Sequence, residues 1–246
     1  MLYKTFAKHL KSMGLTQSLS DPPCLWYKHH DKLGRLLFIV AVYVDDCIIA
    51  GTKAEVEANK SGIKQRFKIT ELGKIRKHLG VWYEHCKDEN GEYYKLSMEQ
   101  YQKDILADWK AATGREAKPA PTPGFPNESL TKNQGKEVHK EEYHKLLGRL
   151  MWFVRKLMPE ALNAIRELAM HMDNPGDDHW RAMGRLVGYI AGQGRVELCQ
   201  MKPHDMKVYA YVDSNYATNK DTRKSVTGYI VTIGGCLISV ASKTQP

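Results

Sequence analysis

Residues 36–51, "LLFIVAVYVDDCIIAG", decide how this chain is read. Nine apolar or aromatic residues run from Leu36 to Val44, two adjacent aspartates follow, and Cys47–Ala50 is apolar again. A continuous apolar run is the pattern of a strand buried on both faces. Two carboxylates inside such a strand carry a large desolvation cost unless they are paired or metal-bound. The simplest arrangement puts Asp45 and Asp46 at a tight turn between strands 36–44 and 47–50. Two hydrophobic strands then hold the carboxylates at a rigid, partly open tip. Clustered carboxylates suit hard divalent cations, and Mg²⁺ commonly completes its shell with waters and substrate phosphates. In two-metal phosphoryl transfer such ions sit ~3.5–4 Å apart and clamp the attacking and leaving oxygens. Asp-Asp is also ordinary turn chemistry, because Asp tolerates unusual backbone angles and bonds its own backbone.

Working outward, Leu2, Phe6, Leu10 and Met13 recur at helical spacing, and Gly14 can end that helix. "CLWYKH" and "LLFIVAVYV" read as strands flanking a hairpin-like connection at His29–Gly34. After the aspartates, Val56, Ile63 and Phe67 share a helical face. "HLGVWYEHCKDENGEYYKLSM" reads as two strands joined at Asn90-Gly91, a strong hairpin signal. "EQYQKDILADWKAA" is an amphipathic helix. Residues 113–138 hold four prolines and three glycines among polar residues and show no period, so they read as a linker or long surface connection. Tyr143, Leu146, Leu147, Leu150, Met151, Val154 and Leu157 then follow helical spacing. Pro159 suits the first turn of a second helix, and Asp177 or Asp178 can cap a third. From Lys207 the pattern is strand-like: "KVYAYVDSNYA", "SVTGYIVTIGG" and "CLISVASKTQP".

Composition narrows the function classes. The 246 residues are 42% hydrophobic, enough for a real core, and the net charge of +9 favours a polyanionic partner. The five cysteines are odd in number and form no C-x-x-C pair, so neither a disulfide framework nor a zinc site is indicated. His29-His30 is not spaced for a metal, and His139 and His144 have no companion cysteines. There is no signal-peptide pattern and no apolar run near the ~20 residues of a membrane helix, so the expectation is an intracellular chain, cytoplasmic or nuclear. Residues 60–77 carry seven Lys/Arg against one Glu, which fits either a phosphate-tracking stripe or a solvated helix face. The strand-like aromatics fit core or cross-strand pairs better than base-stacking platforms.

The tetrapeptide Tyr43–Asp46, "YVDD", between two hydrophobic strands resembles the polymerase motif of retroelement reverse transcriptases. "GLTQSLSDPPCLWYK", "ELGKIRKHLGVWYEH", "LSMEQYQKDIL", "EEYHKLLGRLMWFV", "NPGDDHWRAMGRLVGYIAG" and "DSNYATNKDTRKSVTGYIV" follow in the order of copia-type LTR-retrotransposon polyproteins. The resemblance covers nearly the whole chain and implies an α+β fold. It divides into the C-terminal part of a reverse transcriptase palm over 1–112, a linker over 113–138, a helical connection over 139–200 and a truncated ribonuclease H-like sheet over 201–246.

The resemblance implies roles for individual residues. Asp45 is the metal-binding carboxylate of the palm hairpin and Asp46 its weaker neighbour. Tyr43 and Val44 lie near the primer terminus, within the substrate-binding region. Asp213 matches the first metal-binding aspartate of ribonuclease H. Mg²⁺ is the implied cofactor, weakly held here. An RNA/DNA template-primer and the rest of the polyprotein are the implied partners, with no membrane. The resemblance also implies a further polymerase aspartate and a basic nucleotide-holding segment upstream, and ribonuclease H carboxylates downstream. The expectation is therefore a region incomplete for catalysis, with an unpaired edge on the strand 36–44. Rival expectations are an inactive remnant that binds nucleic acid by charge, or a domesticated interaction protein.

Overall fold

A computed structural model describes residues 2–20, 24–29, 34–89, 91–126, 128–201 and 207–246. The chain divides into two compact units, Met1–Ile75 and Arg76–Pro246. The division falls inside the segment 1–112 that the sequence reading treats as one. Helices and strands are mixed in both units.

The first unit contains α1 (Leu2–Ser12), β1 (Thr16–Gln17), β2 (Leu25–His29), β3 (Leu36–Tyr43), β4 (Asp46–Gly51) and α2 (Lys53–Lys64). The strands form one antiparallel sheet in the order β1-β2-β3-β4. Strand β3 is paired on both sides, so among the described residues the unpaired edge expected for it lies instead on β4. Trp26, Phe38, Val40 and Val42 are buried on one face with Leu10 of α1 and Ile63 of α2. Phe6 meets Phe67 edge-on, with ring centroids 5.2 Å apart. Leu37, Ile39 and Ala41, on the opposite face, are only half-buried. Burial in β3 thus alternates where its sequence reads as a continuous core strand.

The second unit begins with β5 (Lys77–His78), β6 (Val81–Asp88), β7 (Gly91–Ser97) and α3 (Glu99–Thr113). Next come α4 (Lys140–Leu157), a short 3₁₀ turn at Pro159–Ala161, α5 (Leu162–Met170) and α6 (Asp177–Gly192). It ends with β8 (Glu197–Met201), β9 (Val208–Asn215), β10 (Val226–Ile233) and β11 (Cys236–Thr244). One sheet has the order β5-β6-β7-β8 and the other β11-β10-β9. The β6–β7 hairpin is present, though Asn90 of the expected turn lies outside the described residues, as do His30 and residues 31–33 of the earlier connection and residues 202–206 before β9.

The helices converge on Ile105, Tyr143, Leu146, Leu150, Phe153, Leu186 and Ile190. The buried Tyr143 hydroxyl donates to the Leu168 carbonyl at 2.8 Å. Gln102, also buried, donates to the carbonyls of Ile190 and Gly194 and accepts the Val196 N–H, which ties α3 to the end of α6 and the approach to β8. The proline-rich stretch after α3 runs along α6. Ala120 N–H donates to the Gly188 carbonyl at 3.1 Å, and Arg185 donates to the Gly124 carbonyl and to Thr122. A Cβ on Gly188 would strike the Lys118 carbonyl oxygen, so the close approach requires glycine. The cap of α6 is not the expected aspartate: Asp177 and Asp178 lie in the first turn, and His179 Nδ1 accepts the Gly176 N–H at 2.9 Å. Among the described residues, no helix is long and apolar enough to cross a membrane.

Candidate carboxylate hairpin

The β3–β4 hairpin closes one residue earlier than its sequence suggests. Tyr43 pairs with Asp46 across the last rung, so Val44 and Asp45 alone form the turn. Val44 has φ 53°, a left-handed conformation that is a genuine outlier for a β-branched residue. Two-residue hairpins favour a positive φ in the turn because its twist matches that of the strands. The strands therefore impose on Val44 a conformation costing roughly 1–2 kcal/mol. Its side chain is 80% exposed, and Tyr43, Asp45 and Asp46 are exposed beside it.

Alternation along the strands fixes the direction of these groups. Val42 belongs to the buried face and pairs with Cys47. Tyr43 and Asp46 therefore stand on the opposite, open face with Ile39, Ala41 and Ile48. The base of the hairpin is held firmly. Thr52 N–H donates to the Leu37 carbonyl at 3.0 Å, and the Thr52 hydroxyl accepts the Glu55 N–H as the cap of α2. Glu55 pairs with Lys28 of β2 at 3.0 Å and accepts a bond from Asn59, which anchors α2 on the sheet. Next to Asp46, the Cys47 thiol is pushed above its ordinary range, first by desolvation against the surrounding chain and second by the Asp46 carboxylate.

Asp213 belongs to the second unit. It lies near the end of β9, exposed, opposite Gly228 of β10. The structure thus brings Tyr43, Val44, Asp45 and Asp46 together at one tip and holds Asp213 on a separate sheet. The hairpin offers two hard oxygen donors that suit Mg²⁺ in kind. Among the described residues, no group of three or more His, Cys, Asp or Glu side chains converges as a metal site. His139 stacks on Trp180 and His144 bonds the Met172 carbonyl. Two histidines that the sequence reading passed over, His171 and His179, are buried and stacked with ring centroids 4.2 Å apart. They are eight positions apart, His171 just past the end of α5 and His179 in the first turn of α6, and nothing in a periodic pattern marks them as a pair.

The family described as Reverse transcriptase (RNA-dependent DNA polymerase) matches residues 1–123. The chain is 30% identical over 247 aligned positions to the Retrovirus-related Pol polyprotein from transposon RE2 of Arabidopsis thaliana, covering 99% of this chain and 16% of that protein. It is 28% identical to the Retrovirus-related Pol polyprotein from transposon TNT 1-94 of Nicotiana tabacum, covering 99% and 18% respectively. An uncharacterized mitochondrial protein of Arabidopsis thaliana is 24% identical over 83% of this chain and 82% of its own length. The chain therefore spans about a sixth of the length of the plant polyproteins it matches. No solved structure matches it.

Proposed function

Because the chain belongs to the reverse transcriptase (RNA-dependent DNA polymerase) family, we propose that the Tyr43–Asp46 hairpin is the carboxylate tip of a retrotransposon polymerase palm. One observation carries this reading: two adjacent carboxylates, one in a strained turn and one on its last paired rung, stand exposed at the tip of a hairpin of two apolar strands. In this role Asp45 is the principal ligand for Mg²⁺ and Asp46 its neighbour, while Tyr43 and Val44 border the primer end of an RNA/DNA template-primer. Bound Mg²⁺ would supply charge neutralisation at the reacting phosphates. The strands hold the carboxylates at a fixed separation, which matters because small displacements of reacting groups cost orders of magnitude in rate. Asp213 is read as a carboxylate of a ribonuclease H-like sheet formed by β9, β10 and β11.

Two carboxylates are only part of a two-metal set, so the remaining ligands come from other parts of the polyprotein, water and nucleotide phosphates. Primer extension on an RNA template with Mg²⁺ or Mn²⁺ tests the assignment. The 246-residue chain alone is expected to add no nucleotides. A longer polyprotein containing this segment is expected to extend the primer and to lose that activity on Asp45→Asn. Extension by the short chain that vanishes in Asp45→Asn would disprove the dependence on ligands from elsewhere, and full activity of the long Asp45→Asn protein would disprove the role of Asp45.

A further inference from the structure

A methionine sulfur on α5 stands at the meeting point of three hydrogen-bond donors. Asn163, Arg166 and Met170 line the side of α5 that meets β11 and the turn before β10. Arg166 Nη1 lies 3.4 Å from Met170 Sδ, Asn219 Nδ2 3.7 Å and Thr244 Oγ1 3.8 Å.

The surrounding bonds fix each of these groups as a donor. A guanidinium has no acceptor, and that of Arg166 is positioned by Asn163 Oδ1, which accepts from Nε and Nη2, and by the Glu167 carboxylate. Arg166 Nη1 also donates to Thr244 Oγ1 at 3.2 Å, so that hydroxyl accepts from the arginine and turns its proton to the sulfur. The Asn219 carboxamide oxygen accepts the N–H groups of Asp221 and Thr222 and the Thr222 hydroxyl, which leaves its NH₂ facing Met170. A thioether is a weak acceptor and satisfies three fixed donors poorly. Methionine sulfoxide carries one additional, strongly accepting oxygen on the same sulfur.

We propose that Met170 is an oxidative modification site whose sulfoxide oxygen is received by Arg166, Asn219 and Thr244, tightening the seat of α5 on β11. With hydrogen peroxide as oxidant the step balances. The sulfur lone pair attacks one peroxide oxygen and the O–O bond breaks. The attacked oxygen stays on sulfur, its proton passes to the departing hydroxide, and water leaves. Met170 is 38% exposed, open enough for so small an oxidant. In an apolar core the same change brings in a polar group without partners and disrupts packing. Here the partners are already in place, so the sign of the effect is reversed. The inference rests on the contacts of α5 and holds whether or not the hairpin carboxylates or Asp213 are catalytic.

Hydrogen exchange of the full chain before and after treatment with hydrogen peroxide tests it, with peptide mass spectrometry to measure sulfoxide at Met170. The expected result is oxidation at Met170 and amide exchange across β11 slowed about fivefold or more, the effect of one net hydrogen bond. Met170→Leu, treated in parallel, keeps every other methionine oxidisable and is expected to lose the protection. Thr244→Val removes one donor and is expected to reduce it. Unchanged or faster exchange once Met170 is oxidised overturns the proposal. So does protection that persists in Met170→Leu or stays complete in Thr244→Val, or a Met170 that the peroxide leaves reduced.

Discussion

At the scale of single residues, Val44 and Cys47 report on the hairpin from two directions. Glycine at position 44 would relieve the left-handed strain of roughly 1–2 kcal/mol and cost roughly 0.5–1 kcal/mol of extra unfolded-chain entropy. Val44→Gly is therefore expected to stabilise the first unit by up to about 1 kcal/mol, seen as slower hydrogen exchange of the β3 and β4 amides. Unchanged or faster exchange would mean that Val44 carries no strain. Cys47 reads the charge beside it. The Asp46 carboxylate helps to raise its thiol, so Asp46→Asn is expected to increase the thiolate fraction near neutral pH. Peptide-resolved alkylation should then proceed several-fold faster at Cys47 than in the unaltered chain. Desolvation is the larger cause of the shift, so part of the slowness is expected to remain in the variant. A rate unmoved by Asp46→Asn would show that the carboxylate does not act on the sulfur.

At the scale of elements, the meeting of α5, α6 and the segment before α4 carries a pH dependence. His171 is 7% exposed and held down to about 4, first by burial and second by the stacked His179. The Leu130 carbonyl accepts its ring N–H and Asp221 favours its charged form, while Lys132 opposes it. Its Nε2 is buried with no hydrogen-bond partner among the described residues. On the other ring, His179 Nε2 lies 2.8 Å from the Thr131 carbonyl while Nδ1 accepts the Gly176 N–H. The depressed value means that the unfolded chain binds a proton on His171 more readily than the folded one. Stability from this source is complete above pH ~6.5 and is lost as pH falls towards 4, by at most about 3 kcal/mol. His171→Phe should flatten that part of the stability–pH curve in urea titrations, and an unchanged curve would place the dependence elsewhere. These contacts also explain what the sequence could reveal. The helical repeats of Tyr143–Leu157 and the strands from Val208 onward announce themselves because one face is apolar. The stretch 113–138 shows no period because its order comes from bonds of the Gly124 carbonyl to Arg185, of the Thr131 carbonyl to His179 and of the Asn133 side chain to the Pro175 carbonyl, long-range partners that no local pattern encodes. The hairpin was legible for the opposite reason: charge inside an apolar run is conspicuous. Its strained turn was not, since Val44 has the composition of a strand residue and only the pairing of Tyr43 with Asp46 forces it to turn.

At the scale of the whole chain, the net charge of +9 makes nucleic-acid affinity a question of which cations remain available. Binding to a polyanion releases counterions, so affinity should be sequence-independent and should fall steeply with salt. The basic run 60–77 contributes less than its count suggests. Lys60 pairs with Glu71 at 2.9 Å and with Glu57 at 2.9 Å, and Lys64 also pairs with Glu71. The two lysines hold the Glu71 carboxyl down at about 2, so Glu71 stays ionised, and Glu57 and Glu71 together offset the charges of Lys60 and Lys64. Arg66, Lys68 and Lys74 are exposed. Anisotropy titrations with single-stranded RNA across a salt series should separate these groups. Arg66→Ala and Lys68→Ala are each expected to reduce the slope of log affinity against log salt by roughly 0.7, the value for one phosphate contact on a single strand. Lys60→Ala is expected to change it much less, because its loss leaves Glu71 to Lys64 and removes a charge already spent. Equal effects at Lys60 and Lys68 would show that net charge alone governs binding, and a slope insensitive to all of these substitutions would place the nucleic acid on other cations of the chain.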